Sequence, residues 1–380
     1  MKYPRLDVDC SKIHHNAQLL IAKFALKKIS VTPVTKVFLG HPIIAQVLID
    51  AGANMIADSR LENIQRITQT GILVPKMLIR TPMLSQISSV VRCCDISLNT
   101  ETHVIRALSN AAKHLNVTHG IIIMVELGDL REGIMPDIVI DFIHNIIALP
   151  NIIIRGIGTN LACRYGIATD NEKMALLSDL ADEIETKFGL NLDIISGGNT
   201  ASINWALNYT GSTRVNNLRI GEAIFLGFDS LSQKKIERLY TDAITLTAEV
   251  IESKTKPSFP WGDRGSNAFG EKVCISDRGL VSQIIVALGR QDVCVTGLSA
   301  PDGMTIMSST SDHLIIETTG RPLLVGQTVK FNVDYSALLS CMSSSFVHKF
   351  FNAYSTIKTI NNDANHKSKV NYTAHQNQLH

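Results

Sequence analysis

The run Val31-Thr32-Pro33-Val34-Thr35 is apolar and β-branched, and it closes on a lysine, Lys36. A lysine amine kept out of water gives up its proton more readily than a solvated one, and it can then condense with an aldehyde. The same residue can instead lay its stem along apolar surface and place the amine in solvent. Comparable runs close on Asp58, Arg80, Asn99, Glu126, Asn160, Ser196 and Arg219. Two glycine-bearing stretches follow the last of them, Ser196-Gly197-Gly198-Asn199-Thr200-Ala201-Ser202 and Arg219-Ile220-Gly221-Glu222-Ala223. Glycine lets backbone N–H groups approach an anion. A glycine pair alone makes only a turn, but two such loops together with a strand-end lysine point to a phosphorylated cofactor.

The elements that must position these residues alternate along the chain. Residues 31–37, 55–58, 76–80, 95–99, 121–127, 152–160, 192–196 and 217–220 read as eight short strands, each followed by a stretch with helical periodicity. Residues 41–51 carry Pro42 in the first turn, Ile43, Ile44, Val47, Leu48 and Ala51 on one face, and Gly52 as a stop. Residues 171–187 repeat the theme and meet Gly189. Before them, residues 5–9 read as a short strand, and Ser11 is placed to cap a helix. Eight such units fit a (β/α)8 barrel, whose site lies at the C-terminal ends of its strands. Beyond Tyr240 the pattern changes to β runs at 244–251, 283–288, 313–317 and 328–333, separated by Gly, Pro and Asp turns. The expected fold class is therefore α/β, a TIM-type barrel over residues 11–237 followed by a C-terminal β domain over 238–352. Residues 1–10 are expected to add a strand to the β domain, and the polar stretch 353–380 to lack order.

Composition narrows the function classes. The chain has 380 residues, 18% charged and 45% apolar, with a net charge of +2. No basic run is dense enough to track a nucleic-acid backbone, and no stretch has the length to span a bilayer. The opening residues carry charges in place of an apolar signal core, so a cytoplasmic location is expected. The 7 cysteines lack paired spacing, which argues against both a disulfide framework and a zinc site, and no metal is expected.

An ordered set of segments resembles the alanine-racemase-type (fold type III) pyridoxal-phosphate enzymes, most closely their ornithine racemase branch. These are Pro4-Arg5-Leu6-Asp7-Val8-Asp9, Val34-Thr35-Lys36-Val37-Phe38, Ala57-Asp58-Ser59-Arg60-Leu61-Glu62-Asn63, Glu126-Leu127-Gly128-Asp129-Leu130-Arg131-Glu132-Gly133 and Gly156-Ile157-Gly158-Thr159-Asn160. Ser196-Gly197-Gly198-Asn199, Leu218-Arg219-Ile220-Gly221-Glu222-Ala223, Leu288-Gly289-Arg290-Gln291-Asp292 and Ser311-Asp312-His313 complete it, and the resemblance runs over residues 4–350.

The resemblance implies pyridoxal 5'-phosphate as cofactor, bonded to Lys36, which also serves as one proton-transfer base. It implies that Arg219 hydrogen-bonds the pyridine nitrogen, that Thr200, the backbone of Gly221 and Glu222, and Tyr335 cradle the phosphate, and that Arg131 lies near the cofactor phenolate. Asn160 matches a histidine that packs near the ring in alanine racemases. An arginine donates but does not protonate the ring nitrogen, which suits removal and return of one α-proton. Decarboxylases of the fold place a carboxylate there, in a Glu-Pro-Gly-Arg segment that this sequence lacks.

Racemisation needs a second acid/base on the opposite face of the substrate. Alanine racemase uses a tyrosine before a glycine, from the partner subunit; the matching place here reads Asn267-Ala268-Phe269-Gly270. His313, beside Asp312, is the candidate, with Cys274, Asp277 and Asp292 as alternatives and a structural role for His313 left open. The resemblance further implies a basic substrate, with Asp292 or Asp312 pairing with its side-chain amine or bracing a loop, and a head-to-tail homodimer. The alternatives are a lyase of the same fold, either a decarboxylase or a D-hydroxyamino-acid aldolase, and a non-catalytic cofactor carrier, against which residues 240–350 argue.

Overall fold

The computed structural model describes residues 2–272 and 275–352. Cys274 and the polar stretch 353–380 lie outside the described residues. The chain divides into two compact units, one of Cys10–Thr241 and one of Met1–Asp9 with Asp242–Asn352.

The larger unit is built on eight parallel strands. Numbering from the N-terminal strand β1 (Arg5–Val8), these are β2 (Ser30–Pro33), β3 (Ile56–Asp58), β4 (Lys76–Leu78), β5 (Ile96–Asn99), β6 (His119–Met124), β7 (Ile152–Gly158), β8 (Ile194–Ser196) and β9 (Asn217–Ile220). Their spatial order is β2-β9-β8-β7-β6-β5-β4-β3, and a parallel bridge between Val34 and Ala57 joins the first to the last. This is the expected (β/α) barrel, with the inter-strand helices on its outside.

Its two faces are set by strand parity. Val34, Ala57, Met77, Ile96, Leu98, Ile122 and Met124 form one apolar cluster inside the ring. The alternate positions, among them Leu78, Ile121 and Ile123, pack outward against the helices. The helices start and stop where local chemistry directs. The one over Asn171–Phe188 is capped by the Asp170 carboxylate, which accepts the Lys173 N–H, and ends at Gly189 with φ 63°. The helix over Pro42–Asp50 carries its proline at the start, and the first helix begins at Cys10, one residue before Ser11.

The first barrel strand is shorter than its apolar run. It ends at Pro33, Thr35 turns into helical backbone (φ −88°, ψ −2°), and Lys36–Phe38 form a single 3₁₀ turn. Leu39 and Gly40 then take left-handed conformations. Lys36 thus sits on a turn at the C-terminal end of the strand rather than within it.

The smaller unit is a sheet ordered β12-β15-β10-β11-β14-β13, where β10 is Ile244–Pro257, β11 Leu280–Val286, β12 Leu298–Ser299, β13 Met304–Ser309, β14 Leu314–Thr318 and β15 Thr328–Val333. The N-terminal β1 pairs antiparallel with β10 and parallel with β16 (His348–Phe351). Among the described residues no helix is long and apolar enough to cross a membrane.

Gly156 marks where β7 and β8 approach most closely, since a Cβ there would lie 1.8 Å from the Ile194 carbonyl oxygen. Gly156→Ala is expected to cost roughly 3–5 kcal/mol of stability, read as a lowered urea midpoint.

Candidate active site

The barrel interior is apolar on one side and polar on the other. Register places Gly158 beside Ser196, Ser196 beside Asn217, and Arg219 beside Thr32. Paired residues of a parallel sheet share a face, so Thr32, Ser196, Asn217 and Arg219 all point inward. Their hydrogen bonds run in one direction. Arg219 Nη1 donates to Ser196 Oγ, Ser196 Oγ donates to Asn217 Oδ1 at 2.7 Å, and Asn217 Nδ2 donates to Thr32 Oγ1 at 2.9 Å. Arg219 Nη2 donates to the Thr159 carbonyl at 2.7 Å. Arg219 is only 3% exposed, and burial brings its pKa down to about 10, which still leaves it a cation at neutral pH. Its bonds to Ser196 and Thr159 engage two of its five N–H donors.

The loops at this end of the barrel are fastened to one another. After β6, the Glu126 carboxylate accepts N–H bonds from Gly128 at 2.6 Å, Leu130 at 2.9 Å and Arg131 at 3.2 Å. Gly133 packs so closely on this residue that a Cβ would lie 2.5 Å from the Glu126 nitrogen. Asp129, fully buried, accepts the Arg164 and Tyr165 N–H groups of the next loop, both at 3.0 Å. That loop meets the one after β8 through Asn199, whose Nδ2 donates to Leu161 O at 2.8 Å and Asn160 Oδ1 at 3.2 Å. The Ala223 N–H reaches Thr200 Oγ1 at 3.4 Å, and Gly221 rests against Val34 with a prospective Cβ contact of 3.3 Å.

The structure therefore brings Asn160, Thr200, Arg219, Gly221 and Glu222 to one end of the barrel, with half-buried Lys36 on the turn after β2. Arg131 joins them on the β6 loop, paired with its neighbour Glu132. The field of both reaches Arg219, as does that of the exposed Cys163. Two residues of the strand-end set face the other way. Asp58 shares its face with outward-packed Ile56 and is held by Thr35, Asn63 and the Arg60 N–H. Asn99 lies on the outer face with Ser97, to which it donates at 2.9 Å, and Ser97 meets His119 at 2.8 Å. Burial drops His119 to about 4, so it is neutral.

His313, Asp312, Asp292 and Tyr335 belong to the smaller unit. There the segment 289–292 packs on 310–313: Arg290 and Gln291 donate to the carbonyls of Thr310 and Ser311, both at 3.0 Å. A Cβ on Gly289 would lie 2.3 Å from the Asp312 nitrogen. His313 Nδ1 lies 2.8 Å from Asp312 Oδ1, and the two side chains are 43% and 65% exposed. Asp292 is buried, and its carboxylate accepts the Gly289 N–H at 2.8 Å. Phe269 is covered by the Arg290 guanidinium, 3.8 Å from the ring centre, and that guanidinium also forks onto Glu271. Tyr335 opens a helix over Tyr335–Ser343, capped by Asp334.

Residues 8–228 match the family model described as alanine racemase, N-terminal domain. The chain belongs to this family. It is 36% identical over 353 residues to the lysine racemase of Thermotoga maritima, covering 92% of this chain and 99% of that protein. It is 35% identical over 351 residues to the ornithine racemase of Acetoanaerobium sticklandii, covering 91% and 99%. Among solved structures, the alanine racemase of a D-cycloserine-producing Streptomyces lavendulae superposes with a TM-score of 0.73 at 15% identity, over 93% of this chain and 98% of that one.

The family's cofactor, pyridoxal phosphate, can be tested against these side chains. Only two of the five N–H donors of Arg219 are engaged by Ser196 and Thr159, and Asn160 Nδ2 is a buried donor without an acceptor among the described residues. The half-buried Gly221, just before the helix Glu222–Leu226, carries a backbone N–H that would face a phosphate, whereas Gly197 and Gly198 are buried. The residues present fit the group. Among the described residues no cluster of His, Cys, Asp or Glu is arranged to hold a metal ion.

Sequence reasoning missed the residues that act through others: Thr35, Asn63, the Thr159 carbonyl and Asn217. Glu126→Gln replaces one of the two accepting oxygens with an NH2 group that faces an N–H donor, and it is expected to cost about 2 kcal/mol in urea unfolding. Protease cleavage within residues 127–133 should accelerate with it.

Proposed function

We propose that this protein is a pyridoxal-phosphate-dependent racemase that interconverts the L and D forms of a free basic amino acid, ornithine or lysine. The observation that carries the reading is Arg219, a buried cation inside the barrel whose guanidinium is fixed by Ser196 and Thr159 through two of its five N–H donors. The two relatives named lysine racemase and ornithine racemase, alike over nearly their whole lengths, support the choice of substrate.

When bound, the cofactor supplies an electron-withdrawing ring that acidifies the Cα–H of an attached amino acid. Arg219 would donate to the ring nitrogen and, as a cation at neutral pH, would keep a proton off it, which would limit how far the ring draws in electrons. That favours return of the proton over transfer of the amino group. Lys36 holds the cofactor and exchanges the α-proton on one face. Thr200, Gly221, Glu222 and Tyr335 would hold the phosphate, Asn160 would flank the ring, and Arg131 would serve the phenolate oxygen. His313, oriented by Asp312, is our candidate for the second acid/base, because Phe269 has no hydroxyl. Asp312 has the more open carboxylate for the substrate amine, and Asp292 braces its turn. We further propose a cytoplasmic head-to-tail homodimer, as in related racemases.

Incubated with L- or D-ornithine or lysine in D2O, the holoenzyme should lose optical rotation and take up α-deuterium from either enantiomer. Lys36→Ala should abolish both, and His313→Ala should slow racemisation about 10²–10⁴-fold. No exchange with any amino acid of a broad panel would defeat the proposal. Arg219→Glu would let the ring nitrogen keep a proton; racemisation is expected to fall more than about tenfold while pyridoxamine phosphate accumulates during turnover, followed by absorbance and chromatography.

A further inference from the structure

The segment Ala57-Asp58-Ser59-Arg60-Leu61-Glu62-Asn63 carries a carboxylate that the proposed chemistry does not use. Asp58 is fully buried on the outer face of the barrel, with no arginine or lysine side chain among its hydrogen-bond partners in the described residues. Its two oxygens serve different neighbours. Oδ1 accepts the Arg60 N–H and Asn63 Nδ2, both at 2.9 Å, and so fixes the start of the helix Leu61–Thr68. Oδ2 accepts the Thr35 hydroxyl at 2.7 Å. The Thr35 N–H donates to Ala57 O at 2.9 Å, so the residue before Lys36 is held through both side chain and backbone.

The far side of the Lys36–Phe38 turn is fastened to the same helix. Arg66 Nη1 donates to Leu39 O at 2.7 Å. Gly40, with φ 62°, lies so near that a Cβ would come 2.5 Å from Asn63 O. The turn bearing Lys36 is thus clamped at both ends onto one helix, and Asp58 holds the nearer end. Burial raises the pKa of Asp58 against the hydrogen bonds that lower it, so the carboxylate is costly to keep ionised here.

We infer that Asp58, acting through Thr35, is a positioning residue for Lys36, fixing the turn so that its amine meets the cofactor aldehyde. The inference rests on the reading of Lys36 as the cofactor-bonding lysine. In the step concerned, the amine nitrogen bonds to the aldehyde carbon, the aldehyde oxygen departs as water, and both hydrogens of that water come from the amine. Misplacing a reacting group by a fraction of an ångström to an ångström slows such a step by one to two orders of magnitude.

The test follows the condensation itself rather than turnover. Apoprotein is mixed with pyridoxal phosphate, the visible band of the covalent adduct is timed by stopped flow, and the adduct is trapped with borohydride and located by mass spectrometry. Thr35→Val and Asp58→Asn are expected to slow condensation at least about tenfold while melting cooperatively, and Thr35→Ser to return close to the wild-type rate. Thr35→Val leaves the helix-facing oxygen of Asp58 engaged, so it decides the matter should Asp58→Asn not fold. Wild-type speed in Thr35→Val overturns the inference and leaves the function standing. A wild-type protein that yields no trapped adduct at Lys36 overturns both.

Discussion

A charge buried inside the barrel organises this protein. Arg219 is almost wholly enclosed, and a guanidinium removed from water must find acceptors or be expelled. Ser196 and the Thr159 carbonyl provide two of them, and Asn217 fixes the orientation of Ser196 by accepting its hydroxyl proton. Asn217 in turn has its amide directed to Thr32. The chain of donors therefore has one consistent direction across β9, β8 and β2, which is the circumstance in which such networks gain strength and fix a single arrangement. The pKa of about 10 keeps the group charged at neutral pH. It is this combination, a cation held still by two of its five N–H donors, that makes the interior suited to a ring nitrogen and unsuited to protonating it.

Around that charge, the strand-end loops form a stitched rim in which carboxylates and amides are spent on backbone rather than on substrate. Glu126 gathers three N–H groups of its own loop, Asp129 reaches the next loop, and Asn199 ties that one to the glycine turn after β8. Asp58 does the same for the turn carrying Lys36. Rigid placement of catalytic groups needs such supports, since loops alone are soft. Lys36, Arg131, Asn160 and Thr200 on this rim are the side chains to which we assign the chemistry.

Much of this was legible in the residues and some was not. The eight strands followed from apolar runs, and the helices from their periodicity and from Pro42, Gly52 and Gly189. The direction of each strand-end polar residue was not legible. Strands of a parallel barrel are apolar on both faces, so Asp58 and Asn99 read like Ser196 and Arg219 although the first pair faces the helices. Register decides this, and register depends on neighbours far away in sequence. The early end of β2 was also hidden, because Val34, Thr35 and Val37 favour strand while the pull of Asp58 on Thr35 favours the turn. In the smaller unit, β13 and β16 escaped notice for want of clean alternation. The helix at Tyr335 did carry a signal, the cap Asp334.

The most direct test of the central claim uses cofactor labelled with ¹⁵N in the pyridine ring, bound to the wild-type protein at neutral pH. The ring-nitrogen chemical shift should be that of an unprotonated nitrogen accepting a hydrogen bond, and it should move when Arg219 is replaced. The shift of a protonated pyridinium, or one indifferent to residue 219, would contradict the account.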